Sequence, residues 1–510
     1  MDLTVNRGHI SQWESSQKVA TEHPIDCNIT LPDYLPPIVR ILKCNAISGI
    51  QTGGVTGDRV TTECDSLIRI LYICSEGKLH SFQKTIHFTE QLEFKGIENL
   101  TDVLLSAKTD YVNYRVSGKR AFEVHGAVTI CGEMECKKDW EYLESAEGNG
   151  VASKIKKINA TNLCHLSESM FTFSDETHLQ NAPAPIGTII ESKGSCSVTE
   201  TKVIKGKLFV KGELSLCIAY LSSDDEKISQ VEISLPLNRI VEADGITENS
   251  TPFVILNLLS LDIRPKYDSS KEKSYIDVSA TIGISAKAYE CKEFLLISDA
   301  YSTKYEALVE RGNIFTENIF EKLSENMLCK DTVNLKSTGI SEVLSFICNE
   351  ISGTFTYSES EIIISGFVTI HIIYKDLKGE ISYAERQIPF EFKKPLKEYK
   401  ESLFCKPHFY VSGQSYVIPQ DDAIDVRIEI CIDGFIFDRN EHSIVKNIEI
   451  DKEKKKDCFT APLTIYFGEK NEKLWSIAQK YNTTVEAIAK ENNLKEDFLT
   501  KDCKLLIPKI

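Results

Sequence analysis

KLFVKGELSLCIAY, residues 207–220, puts Leu208, Val210, Leu214, Leu216, Ile218 and Tyr220 on one parity, with Gly212 filling the gap in the series. A period of two places these side chains on one face of a long strand. The pattern recurs in RVTTECDSLIRILY (59–72) and EIIISGFVTIHIIY (361–374). The closing tyrosines, Tyr72, Tyr220 and Tyr374, stand 148 and 154 residues apart, which is too far for a solenoid unit and right for a repeated domain. Eight positions before each tyrosine lies a small residue, Cys64, Gly212 or Gly366, which points to a bulge or a close approach midway along the strand. Thirty-four positions before each lies Ile38, Ile186 or Ile340. Proline-rich stretches, LPDYLPPIVRIL (31–42) and LQNAPAPIGTII (179–190), precede the first two copies, while VNLKSTGISEVL (333–344) has lost the prolines. Sixteen positions after the tyrosine come Phe88 and Phe390, and the second copy's ISLPL is shifted by about one residue.

A second long alternating run follows in each copy: AFEVHGAVTICGEME, SYIDVSATIGISAKAYE and AIDVRIEICIDGFIF. Turn signals such as SSDDEK and DLKGE separate the runs. The fold class is therefore mainly β, with tandem antiparallel, sandwich-like modules. The expected modules are 1–150, 151–302 and 303–450. The polar stretches 151–180 and 303–335 read as weakly helical, the latter through Leu308, Ile314 and Ile319. The charge run at 451–458 reads as a linker to a last domain at 459–510.

That last domain reads as β-α-α-β. LTIYF (463–467) alternates, and KLLIP (504–508) is a strand ended by proline. Between them Leu474, Ile477, Ala478 and Tyr481 recur at helical spacing, as do Val485, Ile488 and Ala489. Asn471 is the expected cap of the first helix. Thr483 with Glu486 is the expected capping box of the second.

Across the 510 residues the formal net charge is −16, with 42 % hydrophobic and 26 % charged residues. An acidic balance disfavours nucleic acid and anionic membrane surfaces. The length corresponds to roughly three to four domains. The 16 cysteines contain no C-x-x-C pair, and several sit in apolar runs such as LSLCIAY, so reduced thiols are expected. The N-terminal stretch is polar, with no basic start leading into an apolar run, and no run of about 18 apolar residues occurs. GGVTGDR (53–59) lacks the Lys-Ser/Thr pair of a phosphate loop and reads as a hairpin turn. His87 and Glu90 are a weak metal pair, and the remaining histidines are dispersed. No catalytic constellation stands out, so an enzyme and a cofactor are not expected.

LWSIAQKY, TTVEAIAKENNL and KLLIP resemble the LysM family, whose modules commonly bind N-acetylglucosamine polymers. In place of the family's Gly-Asp-Thr run before the first helix stand Asn471, Glu472 and Lys473, so the glycan-binding reading is weakened. The triplicated module, with LPDYLPPIVRIL and the RILY…IHF signature, resembles the SPOCS domain. SPOCS repeats followed by a LysM are the arrangement of a clostridial spore-coat morphogenetic family. That resemblance implies a non-enzymatic scaffold for spore coat assembly, made in the mother-cell cytoplasm and recruited to the forespore surface. It also implies a partner, the spore coat morphogenetic ATPase of the coat basement, with other coat proteins as further candidates. The alternative is a cell-wall protein that binds peptidoglycan. The expected partner-binding residues of the LysM are Trp475, Lys470, Leu463, Asn471, Asn493 and Leu494.

Overall fold

The structure is a computed structural model that describes residues 2–509 apart from 97–102, 180–181, 224–226, 268–273, 336–338, 359, 397, 399, 406, 421 and 457–463. The first module contains β1 (Thr4–Thr30), β2 (Ile38–Thr56), β3 (Arg59–Cys74), β4 (Leu79–Glu93), β5 (Val103–Gly118) and β6 (Ala121–Glu147). The second contains β7 (Val151–His178), β8 (Ile186–Ile204), β9 (Lys207–Ser222), β10 (Ile228–Glu242), β11 (Thr251–Tyr267) and β12 (Ser274–Ser302). The third contains β13 (Tyr305–Asn334), β14 (Ile340–Tyr357), β15 (Glu361–Asp376), β16 (Ile381–Pro395), β17 (Leu403–Cys405), β18 (His408–Gln420) and β19 (Ala423–Lys455).

Each module pairs a three-stranded meander with a second sheet that joins its first and last strands. The meanders are β2-β3-β4, β8-β9-β10 and β14-β15-β16. The second sheets are β1-β6-β5, β7-β12-β11 and β13-β19 with β17 and β18. The parity read from the sequence is the core parity. Leu208, Leu214, Ile218 and Tyr220 are buried against Ile276, Val278, Ile282 and Ile284 of the facing sheet. The first and third modules have cores built the same way. Gly212 and Gly366 are small because an added Cβ would strike the carbonyl oxygens of Ser197 and Ser352 on the neighbouring strand. In the first two modules the bulge lies on that neighbouring strand, between Ile50 and Thr52 and between Val198 and Glu200. The signature tyrosines explain the proline motif: Tyr72 Oη donates to the Pro36 carbonyl at 3.1 Å and Tyr220 Oη to the Ala184 carbonyl at 2.7 Å.

The stretches read as weakly helical are strands. Val151–His178 forms β7, and Tyr305–Asn334 forms β13. Along β13 the pairing shifts between Tyr305 and Glu306, Glu310 and Arg311, and Ile319 and Glu321. The inward parity of β13 reverses at two of these shifts, after Glu310 and at Phe320, so Leu308 is exposed while Ile314 is buried and the stretch loses the period of two. The charge run is not a free linker either. Asp451–Lys455 completes β19, with Asp451 opposite Glu306 and Lys455 opposite Tyr305. Backbone pairing is indifferent to charge when the side chains face water, as these do; residues 457–458 fall outside the described set.

Beyond the third strand of each second sheet, the long strands continue as two-stranded ribbons. The three ribbons pack on one another through Ile10 and Tyr142, Ile158 and Leu296, and Ile314 and Ile444. Arg311 donates to Asp299 across two of them at 2.7 Å. The three meanders meet as well, burying Leu71, Ile190 and Ile373 together. The tandem copies thus form one body rather than beads on a string.

GGVTGDR is the β2–β3 hairpin, with Gly57 at φ +64°. No disulfide forms among the described cysteines. No helix of the described residues is long and apolar enough to cross a membrane.

Candidate docking interface

The C-terminal domain consists of β20 (Thr464–Gly468), α1 (Leu474–Lys480), α2 (Val485–Asn492) and β21 (Cys503–Ile507), with β20 antiparallel to β21. Leu474, Ile477, Ala478 and Ile488 are buried with Leu499, Leu505 and Ile507. The caps differ from the expected ones. Asn471 sits in the left-handed region at φ +70°, and the N-cap of α1 is Lys473, without a side-chain cap bond. On α2 the cap is Thr484, whose hydroxyl accepts from the Ala487 N–H at 3.2 Å, while the Thr483 hydroxyl donates to the Pro508 carbonyl at 3.0 Å. Glu486 still places an acid in the first turn.

Trp475 does not stand free. Its indole N–H donates to Asp299 Oδ2 at 2.9 Å, and its ring meets Tyr301 edge-to-face at 5.0 Å. The Lys154 ammonium lies 6.0 Å from the ring centroid. Tyr301 Oη donates to the Thr483 carbonyl at 2.7 Å, so the ribbon end of the second module clasps both helices. Burial works against the Asp299 charge, but hydrogen bonds from Arg311 and Trp475 outweigh it and hold the carboxyl below its usual range. Burial also pushes the Tyr301 phenol up, assisted by Glu486 and Asp299, so it remains a donor.

The other expected site residues scatter. Lys470 is exposed, and its N–H donates to Asp502 Oδ1 at 2.7 Å. The Asn471 N–H is used by the Leu499 carbonyl at 2.7 Å, and the Leu474 N–H by the Asp497 carbonyl at 2.9 Å. The loop before α1 is therefore zipped to the segment that follows α2. Asn493 is the left-handed C-cap of α2, and Leu494 is half-buried against the module's own core. Leu463 lies outside the described residues. On the outer face of the two-stranded sheet, Ile465 is 51 % and Phe467 68 % exposed. Register places Ile465 beside Leu506 and Phe467 beside Lys504, whose ammonium lies 5.3 Å from the phenyl centroid.

A charge cluster that sequence reasoning missed lies where the three meanders meet. Lys43 Nζ of β2 donates to Glu191 Oε1 of β8 at 2.6 Å and reaches His371 Nδ1 of β15 at 2.6 Å. The His371 nitrogen is 2.8 Å from the same carboxylate oxygen, and all three residues are buried. Lys43 also stands 4.9 Å from the centroid of the Tyr383 ring. Burial penalises the Glu191 carboxylate, but Lys43 and His371 together overcome it and hold the acid down to about 2. At Lys43 burial wins and lowers the ammonium's affinity for its proton, with Glu191 opposing. The two partners thus pull in opposite directions, and the pair contributes less than Glu191 alone would indicate. The available signal was positional: Lys43 and Glu191 occupy equivalent places in the first two copies. His87 and Glu90 part company, His87 lying 2.5 Å from Asp65 and Glu90 2.7 Å from His23.

The family model of the SipL SPOCS domain matches residues 37–117 and 185–265, and the LysM domain model matches 469–508. These segments are the meanders with β5 and β11, and the β-α-α-β domain. The third module repeats the same strand order. No curated protein and no solved structure matches the chain. Two SPOCS matches in tandem with a LysM match after them are the arrangement of the SPOCS-domain/LysM family, and the chain is similar to that family over these segments.

Proposed function

We propose that this protein is a non-enzymatic adaptor of spore coat assembly, working at the forespore surface, whose LysM docks onto the coat-basement morphogenetic ATPase. One observation carries the reading. The LysM is clasped to the second ribbon through Trp475, while its opposite resource, the Ile465–Phe467 strand face, is left apolar and open. A module held this way offers a fixed apolar face with a lysine at its edge, which suits a protein surface better than a glycan. The loop amides favour the same reading, because those of Asn471 and Leu474 are already bonded within the module. Trp475 then positions the docking face rather than contacting the partner.

The test is binding of the full chain to the purified ATPase, wild type beside Phe467→Ala. The exposed phenylalanine can be removed without opening the core. A loss of about 2 kcal/mol or more is expected, the size of a hot spot. Retention on insoluble peptidoglycan with no affinity for the ATPase would assign the protein to the cell wall instead.

A further inference from the structure

The two outer edges of the LysM sheet are treated differently. On β21 the Leu506 N–H donates to Asn492 Oδ1 at 2.7 Å, and the Leu506 carbonyl accepts from Asn492 Nδ2 at 2.7 Å. A side chain of α2 thus takes the place of a neighbouring strand and seals that edge. The same bonds fix the phase of the ladder. The N–H and C=O of Leu506 turn away from β20, so Leu506 and the facing Ile465 form a non-hydrogen-bonded pair. In an antiparallel ladder the next such pair is Phe467 with Lys504. The N–H and C=O of Ile465 and Phe467 therefore point outward from β20. Among the described residues no strand pairs with that side, and none bonds to either residue's outward backbone groups. Edge strands that remain single are commonly guarded by a charge, a proline or a bulge. TIYFG has no charge and no proline, and its pairing with β21 runs without a shift.

We infer that the open edge of β20 takes an extended strand of the docked protein partner, through backbone hydrogen bonds at Ile465 and Phe467. The inference rests on the reading that this side of the LysM docks a protein, and it says which kind of element arrives. Two donors and two acceptors, set two residues apart, match an extended backbone. A helix cannot supply them, because its backbone groups are bonded to one another. The side chains of the same two residues are the exposed apolar ones of β20. Alternate apolar residues of an added strand would lie beside them, so both sides lose water as the backbones pair. A five-residue strand is too short to hold a partner alone, so the pairing adds to the apolar contact and does not replace it.

The experiment uses the full chain and the purified coat-basement ATPase, with Ile465→Ala beside Ile465→Pro. Alanine removes the side chain and keeps the N–H. Proline also removes the outward N–H and sets its ring on the edge, while the bonds to β21 stay in place. Amide exchange over α1 and β21 checks that each variant is folded. Ile465→Pro is expected to bind about tenfold more weakly than Ile465→Ala, the scale of one lost hydrogen bond. In wild type the amides of Ile465 and Phe467 should exchange more slowly once the ATPase is bound. Equal affinities of the two folded variants, or exchange at both amides that bound ATPase leaves unchanged, would overturn this inference alone and leave the docking reading standing. Absent binding by wild type would overturn the docking reading and this inference with it. Sedimentation of the chain by itself covers the other occupant: a dimer that Ile465→Pro dissociates would assign the edge to a second copy instead. If the proline variant does not fold, the wild-type exchange decides.

Discussion

Two contacts hold separate parts of this chain together, and they are built differently. Where the meanders meet, Lys43, Glu191 and His371 are each under a tenth exposed, with one residue from each module. Where the LysM meets the ribbon, Trp475 is half-buried and the Asp299 carboxylate keeps a quarter of its surface in water. Removing a member of the first contact strands a charge in a dry interior. Removing a member of the second leaves groups that water can reach. The three modules therefore form a fixed unit, while the LysM is attached by a contact of moderate strength.

The largest effect should follow Glu191→Ala. Lys43 would lose its counter-ion inside the junction, and such losses cost about 3–5 kcal/mol. Thermal or urea unfolding of the full chain measures it. The pH dependence has a definite sign. The folded acid titrates at about 2 against an ordinary 4.5, so its stabilisation is complete above 4.5 and is lost as pH falls from there towards 2. Replacing Lys43 and Glu191 together by Met and Leu should recover most of the loss, because no charge is then stranded. If Glu191→Ala costs less than the LysM contact does, the ranking of the two contacts is wrong.

Next comes Asp299→Ala, which removes the acceptor for both the Trp475 indole and Arg311. Because the group is partly solvated, about 2 kcal/mol of docking is expected to go. Amide exchange over 474–480 should rise while that of the meanders stays put. The Asp299 carboxyl is held below its ordinary 3.8, so the clasp should be complete above that pH and weaken below it. Unchanged exchange in α1 would mean that Tyr301 alone fixes the module.

The strands of this fold were legible because Leu208 to Tyr220 keep one parity along a register without interruption on β9. The β13 strand was not, since two register shifts, after Glu310 and at Phe320, reset the parity that the reading depends on. The LysM was legible for a local reason: α1 and α2 each carry their apolar stripe within a few residues. Its caps were misplaced by one or two residues because Asn471 had the side chain of a cap but adopted a left-handed turn. The partner of Trp475 was beyond reach, as Asp299 stands 176 residues away. Glu191 was hidden for a related reason. It faces away from its own module's core, where a lone module would leave it in water, and only the packing of three modules buries it. A sequence read one module at a time assigns that face to solvent.

The smallest effect belongs to Thr484→Ala, and it tests how the clasp is transmitted. The hydroxyl accepts from the Ala487 N–H at the start of an eight-residue helix, and loss of such a cap costs about 1 kcal/mol. That cost should barely move the unfolding of the whole chain, whose stability resides in the strands. The adjacent Thr483 carbonyl, however, accepts from Tyr301 on the ribbon. A frayed first turn would let that carbonyl swing, so the exchange of α2 and of α1 should rise together. If α2 alone loosens, the indole bond to Asp299 holds α1 by itself, and the two halves of the clasp are independent.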